Sequence, residues 1–171
     1  MHTLHQAVAQ CRTLVLEGPD DIGRSGLLGE LARHGFLIRR AREQLQQVDP
    51  TRPYRELLAA PGLLAVDGSI IHELVYGPLR RGHSRVTWIQ ALDFAEAVAE
   101  RDGALVHLTS PQIRDAENAE ATSAYERAFR TLTRHVPVVT VDVSGLSPPV
   151  RGPASSSPFQ LGRCTGKLTV G

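Results

Sequence analysis

The segment that most restricts how this chain can fold runs Leu14-Val15-Leu16-Glu17-Gly18-Pro19-Asp20-Asp21-Ile22-Gly23-Arg24-Ser25-Gly26-Leu27-Leu28. Its apolar start has the form of a buried strand, its middle is a turn bounded by glycines, and Leu27, Leu28 and Leu31 then recur at helical spacing. A strand that enters a helix through such a turn lines up successive backbone N–H groups at the positive end of the helix dipole, and that combination holds phosphate. Gly18 and Gly23 stand at the spacing of the GxxxxGKS/T phosphate loop, with Arg24 in place of its lysine and Ser25 keeping the hydroxyl that reaches Mg2+. The plainer alternative is an ordinary strand-to-helix turn capped by Asp20 or Asp21. Arginine keeps the positive charge, but its planar fork is longer than an ammonium, so phosphate binding tolerates the exchange better than chemistry does. Catalysis of phosphoryl transfer depends on positioning, and a misplacement of about 1 Å can cost roughly a hundredfold.

Around this segment, short apolar runs alternate with amphipathic stretches, the sequence form of a parallel α/β sheet with buried strands. The expected strands are Thr13–Glu17, Phe36–Ile38, Leu63–Asp67, Ala104–Leu108 and Val138–Asp142. Helical spacing covers Ser25–His34, Ile89–Glu100 and Ala119–Arg134, a short helix Tyr54–Ala60 is stopped by Pro61-Gly62, and His72–Leu79 is expected to close at Gly77-Pro78. Right-handed crossovers then predict a P-loop NTPase-like three-layer α/β sandwich, its five-stranded parallel sheet in the order 2-3-1-4-5 with helices on both faces. Residues 1–143 form the expected domain, and the Gly/Ser/Pro-rich stretch 144–171 is read as a flexible or loosely docked tail.

Composition narrows the function classes. A chain of 171 residues with 42% hydrophobic and 22% charged residues is an ordinary single globular domain. A net charge of +1 gives no electrostatic case for nucleic acid as a partner, and Arg39-Arg40-Ala41-Arg42 reads as a solvated run. Cys11 and Cys164 lie near opposite ends without a ligand-spacing motif, so both are expected as free thiols. The first residues lack signal-peptide regions and no apolar run of about 18 residues exists, so no membrane partner and a cytoplasmic location are expected.

The chain resembles the thymidylate kinase family, and more closely its small actinobacterial and phage-like thymidylate or deoxynucleoside monophosphate kinases, over about Arg12 to Asp142. Leu16-Glu17-Gly18-Pro19-Asp20 is similar to the start of the family's EGxDGxGKST loop. Leu64-Ala65-Val66-Asp67-Gly68-Ser69, followed by Glu73-Leu74-Val75-Tyr76-Gly77-Pro78, resembles the family's strand-end DR motif and the substrate helix after it, and Thr87-Trp88-Ile89-Gln90 opens the next helix. The resemblance implies transfer of the γ-phosphate of ATP to a nucleotide or nucleotide-like acceptor, with ATP and Mg2+ as cofactors, and it admits a homodimer. By position, Gly18, Asp20, Asp21, Gly23, Arg24, Ser25 and Gly26 would line the ATP phosphates, with Arg24 and Asp67 in catalytic roles and Ser25 and Asp67 toward the metal. Tyr76 and Gln90 would line a base pocket; outside the family pattern, Arg80 is a candidate substrate-binding residue as a substitute anion clamp, as are Arg81 and Arg85 or Arg39, Arg40 and Arg42.

Three positions depart from the pattern: Arg24 replaces lysine, Gly68 replaces the phosphate-holding arginine, and the lid shortens to Ser110-Pro111-Gln112-Ile113-Arg114-Asp115. Losing one preorganised donor typically costs about 2.7–4 kcal/mol of transition-state stabilisation, so slow or unusually specific transfer is expected. Restoring Arg24→Lys together with Gly68→Arg is expected to raise it. The alternative is a repurposed member that binds a nucleotide and regulates; diversion to hydrolysis has no base of its own to support it.

The seven histidines share no metal or hydrolase spacing and are expected at the surface or as caps. Trp88 is expected in the core, Tyr76 in either core or pocket, and Arg80 and Arg81 as solvated surface unless one clamps an anion. Asp20 and Asp21 either touch the nucleophile or a metal-bound water, or are simply solvated loop residues.

Overall fold

A computed structural model describes residues 3–41, 51–113 and 115–144. Arg42, Arg114, Cys164 and the expected tail beyond Ser144 lie outside the described residues. The order of elements is α1 (Leu4–Gln10), β1 (Thr13–Glu17), α2 (Ser25–Arg33), β2 (Leu37–Arg40), α3 (Arg52–Leu58), β3 (Leu64–Asp67), α4 (Ile70–Arg81), α5 (Trp88–Glu100), β4 (Gly103–Thr109), α6 (Ala116–Leu132) and β5 (Val138–Asp142).

The strands form one five-stranded sheet in the order β2-β3-β1-β4-β5, and every neighbouring pair is parallel. Successive side chains on a strand point to opposite faces, and β1 uses that alternation fully. Leu14 and Leu16 pack with Ala7 of α1 and Leu27, Leu28 and Leu31 of α2. Val15 faces the other way, into Tyr76 of α4, Phe94 of α5 and Tyr125 and Phe129 of α6. A strand buried on both sides has no use for polar alternation, which is why its sequence reads as a continuous apolar run. Because all the strands are parallel, their carboxyl ends, Glu17, Arg40, Asp67, Thr109 and Asp142, lie along one edge, and the connections leaving that edge build the site.

Apart from shifts of one to three residues at the ends of β2, β3, β4, α2, α3, α5 and α6, the elements depart from the sequence expectations in three places. Helix α1, opened by a Thr3–Gln6 capping box, was not anticipated: Leu4, Ala7 and Val8 do pack on the core at helical spacing, but a helix of 7 residues is too short for that spacing to single it out. Helix α4 starts at a Ser69 cap and runs through Pro78 instead of closing there. Its buried face and the ion pairs of Arg80 and Arg81 in its last turn outweigh the single hydrogen bond the proline removes, and left-handed Gly82 (φ 77°) ends it instead. Trp88, expected in the core, is 45% exposed. It occupies the first position of α5, beyond the packed face formed by Ala91, Phe94, Ala95 and Val98.

Among the described residues no helix is long and apolar enough to cross a membrane, and Cys11 is a free thiol.

Candidate functional site

Gly18 follows β1 and lies buried against β4. A Cβ there would come 2.8 Å from the Leu108 carbonyl oxygen and 2.9 Å from its Cβ, so only glycine lets the chain leave the sheet at this point. Asp21 (φ 58°) and Gly23 (φ 76°) adopt the left-handed conformation and turn the loop back toward α2. Arg24 is the N-cap residue of α2 and gives no side-chain cap, so neither Asp20 nor Asp21 fills that expected role. The N–H groups of Ile22 to Leu27 find no acceptor among the described residues.

Asp20 is held from every side. Its N–H donates to the Tyr76 hydroxyl at 2.8 Å, that hydroxyl donates to Asn118 Oδ1 at 2.5 Å, and Asn118 Nδ2 donates back to the Asp20 carbonyl at 3.2 Å. This closed ring ties the loop backbone to α4 and α6. The Asp20 carboxylate meets His72 Nε2 at 3.0 Å and Arg80 at 2.7 Å, while Arg80 also bonds Glu117 and lies 4.2 Å above the Tyr76 ring. His72 stacks on the other partner of the loop, the Tyr76 ring, at 4.6 Å. Burial acts to raise the Asp20 carboxyl, but the bonds from Arg80 and His72 outweigh it and hold it below the ordinary carboxylate value. Asp20 is therefore neither a cap nor a solvated loop residue.

The second cluster centres on Arg24. Its Nη1 bonds Asp67 Oδ1 at 2.9 Å, and its Nη2 reaches back to the carbonyls of Gly18 and Pro19 at 3.2 and 3.3 Å. Burial opposes its charge, but Glu17 and Asp67 more than offset that, so its proton is held more firmly than usual. Arg40 adds a second cation 3.5 Å from the Asp67 carboxylate. Glu17, fully buried at the end of β1, accepts from Ser69 at 2.5 Å and from Tyr125 at 3.1 Å. Burial raises its carboxyl despite these bonds and the nearby cations.

The same geometry bears on a metal. The carboxylate that the resemblance turns toward Mg2+ faces two arginines, and among the described residues no group of His, Cys, Asp and Glu is arranged to hold an ion. Mg2+ at nucleotide sites usually takes one or two carboxylates together with the ligand's own phosphates, so Asp67 and the Ser25 hydroxyl are the groups that would hold it here.

Two cavities flank the loop. One of about 410 Å3 opens on the β4–β5 side, lined by Asp21, Gly23, Gln112, Ile113, Asn118 and Ser144, so the short lid does meet the loop. The other, of about 200 Å3, lies on the β3 side and is lined by Arg24, Tyr54, Asp67, Gly68, Ser69 and His72. Asp20 contributes to both walls.

The expected residues Gly18, Asp20, Asp21, Gly23, Arg24, Ser25, Gly26 and Asp67 thus converge on one loop. Of the two residues expected in a base pocket, Tyr76 meets this loop and Gln90 does not. Gln90 is spent in the capping box of α5, accepting from the Thr87 N–H at 2.9 Å, and lines neither cavity. Tyr76 is buried and supports the loop through its hydroxyl. Arg80 and Arg81 are ion-paired, with Asp20 and Glu117 and with Glu73, so neither is simply solvated. Gly68 has φ 84°, a conformation that strains any side chain, so Gly68→Arg is not the simple repair the sequence suggested.

Sequence reasoning missed His72, Asn118 and Glu117, and gave Glu17 no role beyond the loop motif. His72 and Tyr76 are four residues apart on α4, which puts them on one helix face and was the one available signal. His107 also departs from the surface expectation: it is buried, stacked 4.5 Å from Phe129, and its Nε2 has no hydrogen-bond partner among the described residues.

No protein-family model matches this chain, and no curated protein matches it significantly.

Proposed function

We propose that this chain is a nucleotide-binding protein of P-loop architecture and thymidylate-kinase type, which takes nucleoside triphosphate phosphates on the N–H groups of Ile22 to Gly26. One observation carries the reading: an uncapped helix start at the carboxyl edge of the central strand, with a loop clamped at Asp20 and a cavity on either side of it. Unsatisfied N–H groups at the positive end of a helix attract an anion. Flanking cavities suit a donor on the β4–β5 side and an acceptor on the β3 side. Calorimetry with ATP and ADP tests this; heat of binding at or below millimolar nucleotide is expected, and none for any nucleotide would sink it.

The Arg24–Asp67 pair favours the impaired or repurposed member over the active kinase. It commits both the cation that would neutralise a transferring phosphoryl group and the carboxylate expected near a metal. A turnover of about 1–100 per second in a coupled assay, typical of kinases, would contradict that choice. Nucleotide binding with little or no transfer is the expected outcome.

A further inference from the structure

We infer that the cavity on the β3 side takes an uncharged, hydroxyl-bearing ligand, and that it disfavours one that carries its own phosphate. The inference rests on the nucleotide-binding reading for the donor on the other side of the loop, but the chemistry of this cavity stands on its own residues. At about 200 Å3 it is smaller than the roughly 300 Å3 at which pockets for drug-sized molecules begin. Two carboxylates, Asp20 and Asp67, line it together with Tyr54 and Ala41. A carboxylate only accepts hydrogen bonds, and each has about four lone-pair positions, so Asp67 can serve both Arg24 and Arg40 and still receive a ligand hydroxyl.

The donors point the same way. Arg24 is the one arginine or lysine among the described lining residues, and its two Nη atoms already serve Asp67 and the carbonyls of Gly18 and Pro19. His72 directs Nε2 at Asp20, and the Ser69 hydroxyl is given to Glu17. A phosphate dianion in this space would compete with two carboxylates for cations that already serve them, and among the described lining residues no guanidinium fork is uncommitted; Arg40, which pairs with Asp67, does not line the cavity. A neutral hydroxyl gives its proton to a carboxylate and brings no charge to repel.

The test titrates the full chain with the four 2′-deoxynucleosides and their 5′-monophosphates, alone and with a non-hydrolysable ATP analogue present. At least one nucleoside should bind, at least tenfold more tightly than its own monophosphate, and Ala41→Trp should abolish that binding by filling the space. Asp67→Asn removes a carboxylate and releases the Arg24 fork, so it should shrink the gap by at least tenfold. A monophosphate that binds as well as or better than its nucleoside, absence of binding by every nucleoside, or a gap unmoved by Asp67→Asn would overturn the inference. Analogue binding with the preference reversed defeats this inference alone. Nucleoside binding without analogue binding defeats the nucleotide reading alone.

Discussion

The Tyr76 hydroxyl closes the ring that holds both backbone groups of Asp20, and its removal tests how firmly the loop is set. Tyr76→Phe leaves the Asp20 N–H and Asn118 Oδ1 without their partner, so denaturant unfolding should show a loss of about 1–3 kcal/mol, the cost of an unsatisfied polar group. Nucleotide affinity should fall with it, because a loop that must be ordered on binding pays that cost then. Unchanged stability and affinity would mean the ring does not set the loop. Arg24→Lys acts differently. A lysine can reach one partner but cannot span Asp67 and two carbonyls as the guanidinium fork does. The variant should therefore unfold more easily, yet bind ATP more tightly and transfer phosphate faster than wild type, since its ammonium is freer to meet the incoming charge. No gain in either would mean that the arginine is not what holds activity down.

At the scale of elements, the site depends on how closely β1 and β4 approach. Gly18→Ala would place a methyl group against Leu108 backbone, which has no flexible end to give way. An overpacked contact of this kind costs about 1–3 kcal/mol, so the variant should melt lower and lose nucleotide binding, while Gly29→Ala, with open space around it, should do neither. Much of this level was legible in the sequence. The bounds of β1 and β5 match the apolar runs, because a doubly buried strand writes itself as one, and α5 opened at Thr87-Trp88-Ile89-Gln90 because a capping box is local chemistry. The ends of α4 were not legible, because tertiary ion pairs and Gly82 decide them rather than Pro78. The Asp20 ring was hidden for a similar reason: its members are 56, 42 and 98 residues apart, and no periodicity links them.

At the scale of the whole molecule, two buried groups tie stability to pH with opposite signs. Burial lowers the pKa of His107 from its ordinary 6.5, and its Nε2 has no partner among the described residues. The unfolded chain therefore binds the proton first, and stability is lost as pH falls from about 6.5 toward the folded value. Burial raises Glu17 from 4.5, so the folded chain holds that proton longer and stability is lost as pH rises from 4.5 toward the raised value. Because the two slopes oppose each other, the comparison of wild type with His107→Leu isolates the first: the variant should lose less melting temperature between pH 7 and pH 5.5, and an equal loss would contradict the role given to His107. The parallel sheet brings these buried groups, the clamped loop and both cavities to one edge, and the central claim is that this edge holds nucleotide phosphate. Amide NMR of the labelled chain titrated with ADP measures it most directly. The account predicts saturable shifts concentrated at the N–H groups of Ile22, Gly23, Arg24, Ser25 and Gly26; amides there that stay unmoved at millimolar ADP would contradict it.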